Sequence, residues 1–264
     1  MSEVSVSLVL PVFDGAAFLE RSLAKSYEWL GRRAGGAELI VVDDGSRDET
    51  LAIAREFAAS RGDGPRVRVL ASAENRGKGH AVRRGLLAAR GRLRLFSDAD
   101  LTYPIASFTQ VVRALRRGAD IAVACRVHED SRYVVAPDFF RYIYTRHNAG
   151  RIFNWLVRQT VVNELRDTQA GLKGFRAEVV EDLFPRLVQD RFSFDVELLF
   201  LAQRRGYHVR EVPVTYHYRK EPSTVDFARD TVAMCADLAR IRLRHLRGAY
   251  RLDEDLDPPI SEPD

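Results

Sequence analysis

The chain has 264 residues, of which 46% are hydrophobic and 30% charged, a balance typical of a globular protein with a sizeable core. Its formal net charge of +4 suits an anionic small substrate, an anionic membrane surface or a nucleic acid, and does not choose among them. The two cysteines, Cys125 and Cys235, form no disulfide framework or zinc spacing, so we expect a reducing cytoplasm. No apolar run is long enough to predict a spanning helix, and the first residues lack the pattern of a signal peptide.

The first half of the chain alternates strand and helix patterns. Short apolar runs predict strands at residues 4–12, 38–42, 67–70, 93–97 and 119–125. Helical periodicity predicts helices at residues 16–30, 48–60, 79–89 and 104–117. Repeated strand–helix units predict an α/β fold, Rossmann-like, with a mostly parallel sheet and helices on both faces.

The second half is more varied. Residues 171–175 and 207–218 read as strands, the second holding Pro213, which predicts an edge or a bend. Helices are predicted at residues 194–205 and 223–247, and the acidic, proline-rich residues 251–264 are expected to be disordered. Aromatic and basic residues at 139–158 suit either a helix in a membrane interface or a helix that packs in the core or in a dimer.

Polar side chains follow three of the predicted parallel strands. Asp14 follows the first strand, Asp43 and Asp44 end the second, and Asp98 and Asp100 follow the fourth. Because the carboxyl ends of parallel strands meet at one edge, we expect these side chains to share one rim of the sheet. Asp98 and Asp100 are hard oxygen ligands that suit Mg²⁺ or Mn²⁺ with a diphosphate completing the shell, although solvated loop carboxylates would look the same.

Two further segments are candidates for binding. Lys78 lies in a loop with two glycines before a predicted helix, which favours an anion site, although a plain turn explains it equally well. Asp195 opens the helix at 194–205, either as an N-cap or as a carboxylate facing an acceptor. Glu197 could simply complement the dipole of that helix.

The order of these motifs resembles family 2 glycosyltransferases of the GT-A fold. Pro11-Val12-Phe13, Val42-Asp43-Asp44-Gly45-Ser46 and Asp98-Ala99-Asp100 carry that resemblance. Residues 75–83, 166–169, 194–199 and 241–244 are similar to the dolichyl-phosphate β-glucosyltransferases, so the resemblance covers roughly residues 4–250. Where the family usually has Asn-Glu after the first strand, this chain has Asp14-Gly15.

The resemblance implies an inverting transfer of a sugar, taken to be glucose, from a nucleoside diphosphate sugar, taken to be UDP-glucose, to a polyprenyl phosphate. It makes Asp100 and Asp195 the catalytic residues and Asp98 and Asp100 the ligands of Mg²⁺ or Mn²⁺. It assigns substrate binding to a larger set, namely Pro11, Val12, Phe13, Asp43, Asp44, Lys78, Asp98, Ala99, Arg126, Gln169, Arg219 and Lys220. Asp195 either positions the acceptor or removes a proton.

We expect a single domain at residues 1–250, with a donor-binding half at 1–126 and an acceptor-side half at 127–250. The expected partners are the sugar nucleotide, the polyprenyl phosphate and a membrane surface, with no nucleic acid, in a cytoplasmic protein that contacts the membrane peripherally. The oligomeric state is left open. A family 2 enzyme with a soluble or glycan acceptor and a non-catalytic nucleotide-sugar-binding module are the alternatives.

Overall fold

The computed structural model describes residues 4–33, 36–134, 165–191, 193–217 and 227–250. Several predictions therefore lie outside the described residues: the aromatic and basic segment at 139–158, the cations Arg219 and Lys220, and the tail at 251–264. Within the described ranges, no helix has both the length and the apolar composition that a bilayer crossing requires.

Seven strands form one sheet in the order β3-β2-β1-β4-β7-β5-β8. Neighbours pair in parallel except β7, which is antiparallel to both β4 and β5. The prediction of a mostly parallel sheet is confirmed. The strands are β1 (Val6–Val12), β2 (Ala37–Asp43), β3 (Arg66–Ala71), β4 (Leu93–Ser97), β5 (Ile121–Cys125), β6 (Arg132–Val134), β7 (Leu172–Arg176), β8 (Val209–Pro213) and β9 (Thr215–His217), with β6 and β9 forming a separate pair.

Helices pack on both faces of the sheet. The α1 helix contacts α2 and α4, whereas α3 and the next helix, α5, contact each other and β4. The described helices are α1 (Ala16–Gly31), α2 (Thr50–Ala59), α3 (Lys78–Ala88), α4 (Ile105–Arg116), α5 (Ala177–Leu183), α6 (Phe194–Arg204) and α7 (Phe227–Leu246). The second helix begins two residues later than predicted, because Asp48 binds the Thr50 amide from outside the helix.

The centre of the sheet is apolar because its strands are covered on both faces. All residues of β2 and β5 are buried, and β1 is buried except at Pro11. This explains why these strands read as continuous apolar runs rather than as alternating patterns. Phe96 and Phe175 stack where β4 and β7 lie side by side, which fills the middle of the core.

The predicted strand at 207–218 is two strands that belong to different sheets. Pro213 ends β8, the edge strand of the large sheet, and β9 then pairs with β6. The prediction of an edge or a bend at Pro213 is thus confirmed, whereas the single continuous strand is wrong. Proline has no amide hydrogen for a ladder, so the pairing changes at this residue.

Candidate active site

The carboxyl ends of β2, β1 and β4 lie side by side at one rim of the sheet. Val12, at the end of β1, pairs in register with Asp43 at the end of β2, and β4 flanks β1 on its other side. Asp98 directly follows β4. The topology therefore gathers the ends of the first, second and fourth strands, as the strand pattern predicts.

The two neighbouring aspartates after β2 have different surroundings. Asp44 is buried, and its two carboxylate oxygens accept hydrogen bonds from the Arg76 amide at 3.2 Å and the Gly77 amide at 2.7 Å. Burial raises the pKa of Asp44, and those two hydrogen bonds oppose that shift. Asp43 is also buried, and among the described residues its carboxylate oxygens accept the Ser46 amide at the long distances of 3.3 and 3.4 Å. Asp44 therefore holds the glycine-rich loop in place, and Asp43 is the better candidate for a nucleoside.

The loop held by Asp44 delivers Lys78 to the rim. The Lys78 ammonium lies 2.5 Å from Asp98 Oδ1. Gly77 has φ +108°, a conformation that favours glycine, and the turn is completed by the His80 amide, which donates to the Asp190 carbonyl at 3.0 Å. Burial would lower the pKa of Lys78, but Asp98 and Asp195 together raise it. Lys78 is therefore a cation at the place where the sequence predicts a diphosphate contact.

Asp98 fits this rim because residue 171 has no side chain. Its amide donates to the Gly171 carbonyl at 2.9 Å, and a β-carbon built on Gly171 would stand 1.8 Å from Asp98 Oδ2. The Gly171 amide donates to the Tyr103 hydroxyl at 3.1 Å. The residue before β7 thus binds the Asp98 backbone and leaves room for its carboxylate.

Asp100 is half-buried, and its Oδ1 accepts a hydrogen bond from the Thr102 amide at 3.0 Å. The intervening Leu101 has φ +52°, which is unusual for a residue with a branched side chain and marks a tight turn. Among the described residues, no three histidine, cysteine or acidic side chains come close enough to hold a metal ion. A divalent ion at this turn would need oxygen ligands in addition to these carboxylates.

Sequence reasoning missed a buried lysine at the centre of the site. Lys173, in the middle of β7, has no exposed surface, and its ammonium donates to Asp195 Oδ1 at 2.5 Å and to the Ala170 carbonyl at 2.8 Å. Burial raises the pKa of Asp195 and lowers the pKa of Lys173, and each residue opposes the shift of the other. The available signal was a lysine in the middle of a short strand, between Leu172 and Gly174.

A third ion pair borders the rim beyond β5. The Arg126 guanidinium donates to both oxygens of Asp167, through Nε at 2.7 Å and a terminal nitrogen at 2.8 Å, and the Arg126 amide adds a third bond at 2.9 Å. The guanidinium also lies 5.6 Å from the centre of the Tyr216 ring. Gln169 is half-buried in the loop that carries Asp167. The Arg126 guanidinium is planar and is held rigidly by Asp167, which suits a side chain that contacts a phosphate.

Residues 7–184 match the model of glycosyl transferase family 2. The chain belongs to this family. It is 34% identical to a dolichyl-phosphate beta-glucosyltransferase of Drosophila melanogaster and 32% identical to one of Homo sapiens, each alignment covering 94% of this chain and 78% of the relative. Among solved structures, glucosyl-3-phosphoglycerate synthase of Mycobacterium tuberculosis superposes with a TM-score of 0.69 at 18% identity, over 90% of this chain and 80% of that one. That likeness shows the fold.

The family 2 match identifies the protein as a glycosyltransferase. Residues after position 184, beyond the matched region, also support the Lys78 loop. Glu197, in the first turn of α6, is buried and does more than complement a helix dipole. Its Oε2 accepts the amides of Val188 at 2.9 Å and Gln189 at 2.8 Å, and its Oε1 accepts the Tyr250 hydroxyl at 2.8 Å. It therefore fastens the segment that contacts the Lys78 loop.

The remaining predicted residues of this family 2 enzyme fall into two groups. Pro11 and Phe13 are half-buried beside Val12 at the end of β1, and Ala99 is buried between the two aspartates of the fourth strand end. Arg219 and Lys220 lie outside the described residues.

Proposed function

We propose that the protein transfers glucose from UDP-glucose to a polyprenyl phosphate with inversion at the anomeric carbon. The observation that carries the proposal is the extent of the similarity. Relatives named dolichyl-phosphate beta-glucosyltransferase align with 94% of the chain, so they cover the acceptor-side half as well as the donor-side half. The charged rim supports it, because both substrates are phosphorylated.

On the donor side, Pro11, Val12, Phe13 and Asp43 surround the nucleoside at the ends of β1 and β2. Asp44 acts indirectly in this proposal, by holding the loop that brings Lys78 to the diphosphate. Cationic side chains of this kind stabilise the negative charge that develops on the leaving diphosphate.

The carboxylates after β4 fit Mg²⁺ or Mn²⁺ by their chemistry. In this proposal Asp100 would hold the ion, with Asp98, which pairs with Lys78, beside it and diphosphate oxygens completing the shell. Solved structures of glucosyl-3-phosphoglycerate synthase contain Mn²⁺ with UDP in one case and Mg²⁺ with UDP in another. A bound divalent ion neutralises charge on the leaving group.

On the acceptor side, inversion requires in-line attack by a phosphate oxygen on the face opposite the diphosphate. A polyprenyl phosphate is already anionic, so Asp195 need not remove a proton and instead orients the reacting groups. In this proposal Arg126 contacts the donor diphosphate, Arg219 or Lys220 supplies a further cation to that diphosphate, and Gln169 contributes to substrate binding. Residues 139–158 remain the predicted membrane contact.

The test is transfer of radioactive glucose from UDP-glucose into a lipid-extractable product, with a polyprenyl phosphate and Mg²⁺ or Mn²⁺. Asp100→Ala should lower turnover about a hundred-fold or more, while the exposed Asp130→Ala variant should match the wild type. Turnover with soluble acceptors alone contradicts the lipid acceptor. Undiminished turnover in excess chelator contradicts the role of the metal.

A further inference from the structure

Lys173 is in an unusual place for a charged side chain. It lies on the strand that runs antiparallel between β4 and β5, with no exposed surface. Its ammonium has Asp195 Oδ1 at 2.5 Å, the Ala170 carbonyl at 2.8 Å and the centre of the Phe96 ring at 5.6 Å. Lysine is rarely buried without a partner, since desolvating the ammonium is costly, and an apolar residue would fill this space more cheaply.

The carboxylate that Lys173 binds belongs to a larger set of charges. Asp195, only 3% exposed, interacts electrostatically with Lys78 and Asp98 as well as with Lys173. The four residues carry two positive and two negative charges, so the set is neutral as a whole. Without Lys173 it would carry a net negative charge, in a site where both proposed substrates bring phosphates.

One oxygen of Asp195 has a defined partner. Lys173 donates to Oδ1 at 2.5 Å. The lysine comes from a strand and the aspartate from the first turn of α6, so both ends of the contact are on rigid elements. The contact therefore anchors the Asp195 carboxylate to the core of the sheet.

Building on the proposed function, we infer that Lys173 is a positioning residue for sugar transfer, which fixes the orientation of Asp195 and balances its charge through the contact with Oδ1. Lys173 does not touch substrate in this account and acts only through Asp195. Without that ammonium, burial favours the neutral, protonated form of Asp195. The lysine therefore keeps the carboxylate both ionised and in place.

The deciding variant is Lys173→Met, which keeps the length of the side chain and removes its charge. We expect kcat near neutral pH to fall about a hundred-fold, as when a reacting group is misplaced by an ångström. We also expect the acidic limb of the pH profile to move to higher pH, because Lys78 alone then opposes the protonation of Asp195, while Asp98 favours it. The acceptor phosphate titrates identically in every variant, so a difference between variants comes from the enzyme.

Two further variants separate positioning from a purely structural role. Arg94→Met removes another buried cation, one that binds Glu181 at 2.6 Å, and should lower the melting temperature while leaving the pH profile unchanged. In the Asp195→Asn background, Lys173→Met should cause little further loss of kcat. Lys173 acts only through the Asp195 carboxylate, which that background has already removed.

An active Lys173→Met enzyme with the wild-type pH profile, or losses that multiply in the double variant, would overturn the inference. If Lys173→Met does not fold, Lys173→Gln is measured by the same two criteria. The wild-type assay keeps the two proposals apart. A wild type that forms no glycolipid contradicts the proposed function, whereas an unshifted profile in an active variant contradicts only the role of Lys173.

Discussion

Single side chains at the rim show how the protein tolerates buried charge. Three described cations near the strand ends, one buried and two half-buried, each have a carboxylate within hydrogen-bonding distance. Burial of such pairs adds little net stability because desolvation offsets the attraction. Removing one partner, in contrast, leaves the other charge uncompensated and lowers stability. The pairs are Lys78 with Asp98, Lys173 with Asp195, and Arg126 with Asp167. Their concentration at one edge of the sheet is therefore better explained by chemistry than by stability.

The Arg126 pair gives a prediction that depends on pH. Burial would raise the pKa of Asp167, but Arg126 and its hydrogen bonds lower it below its ordinary value, near 3.9 in unfolded chains. The folded state is thus stabilised above about pH 4, and this contribution disappears as the pH falls through the folded pKa. We expect Asp167→Asn to lower the free energy of unfolding by about 3 kcal/mol at pH 7 and by clearly less near pH 3, measured by denaturant titration.

The exposed Asp130→Asn variant is the control for that experiment, since its side chain is 80% exposed and it should change stability little at either pH. An equal loss at pH 7 and pH 3 in Asp167→Asn would contradict an ionic origin.

Strands were predictable from the sequence where the apolar pattern that marks them is local. Apolar runs bounded by glycines and aspartates placed β1 to β5 within a few residues, and the rim then followed from parallel pairing. The antiparallel insertion of β7 was not predictable, because periodicity does not report a strand's partners. Lys173 was missed for the same reason, since its partner Asp195 is 22 residues away and meets it only in this topology. Asp44 similarly binds a loop 32 and 33 residues away, which no local spacing indicates.

The start of α3 is closely packed at Gly79. A β-carbon on Gly79 would stand 2.7 Å from Phe194 Cβ and 2.8 Å from the Gln189 carbonyl. Gly79→Ala should gain about 1 kcal/mol of helix propensity, but overpacking typically costs about 1–3 kcal/mol, so we expect a net loss of stability. The helix start carries Lys78, so we also expect a raised KM for the sugar nucleotide, measured in the transfer assay.

Gly62→Ala is the matched control for Gly79→Ala, because a β-carbon at Gly62 has no neighbour within 4 Å. It should leave both stability and KM near the wild-type values. A Gly79→Ala enzyme with unchanged KM would mean that the Lys78 loop adapts without moving the ammonium.

Across the whole molecule, the last described residue is connected to the site through the core. Tyr250 is buried, its carbonyl accepts Arg186 at 2.9 Å, and its hydroxyl donates to Glu197 at 2.8 Å. Glu197 binds the amides of Val188 and Gln189, and the next carbonyls contact the glycines around Lys78. The described residues from 186 to 250 therefore support the loop that carries Lys78.

Tyr250→Phe tests that connection with the loss of one oxygen atom. A hydrogen bond to a charged group contributes about 1.5–3 kcal/mol, so we expect a loss of stability in that range. Burial already raises the pKa of Glu197, and loss of the tyrosine hydroxyl removes one of the bonds that oppose this shift. The Val188 and Gln189 amides should then exchange hydrogen faster, measured by mass spectrometry. Tyr207→Phe, which loses a 2.7 Å bond to Asp182 instead, should leave their exchange unchanged, and equal protection in both variants would show that Glu197 holds the segment without Tyr250.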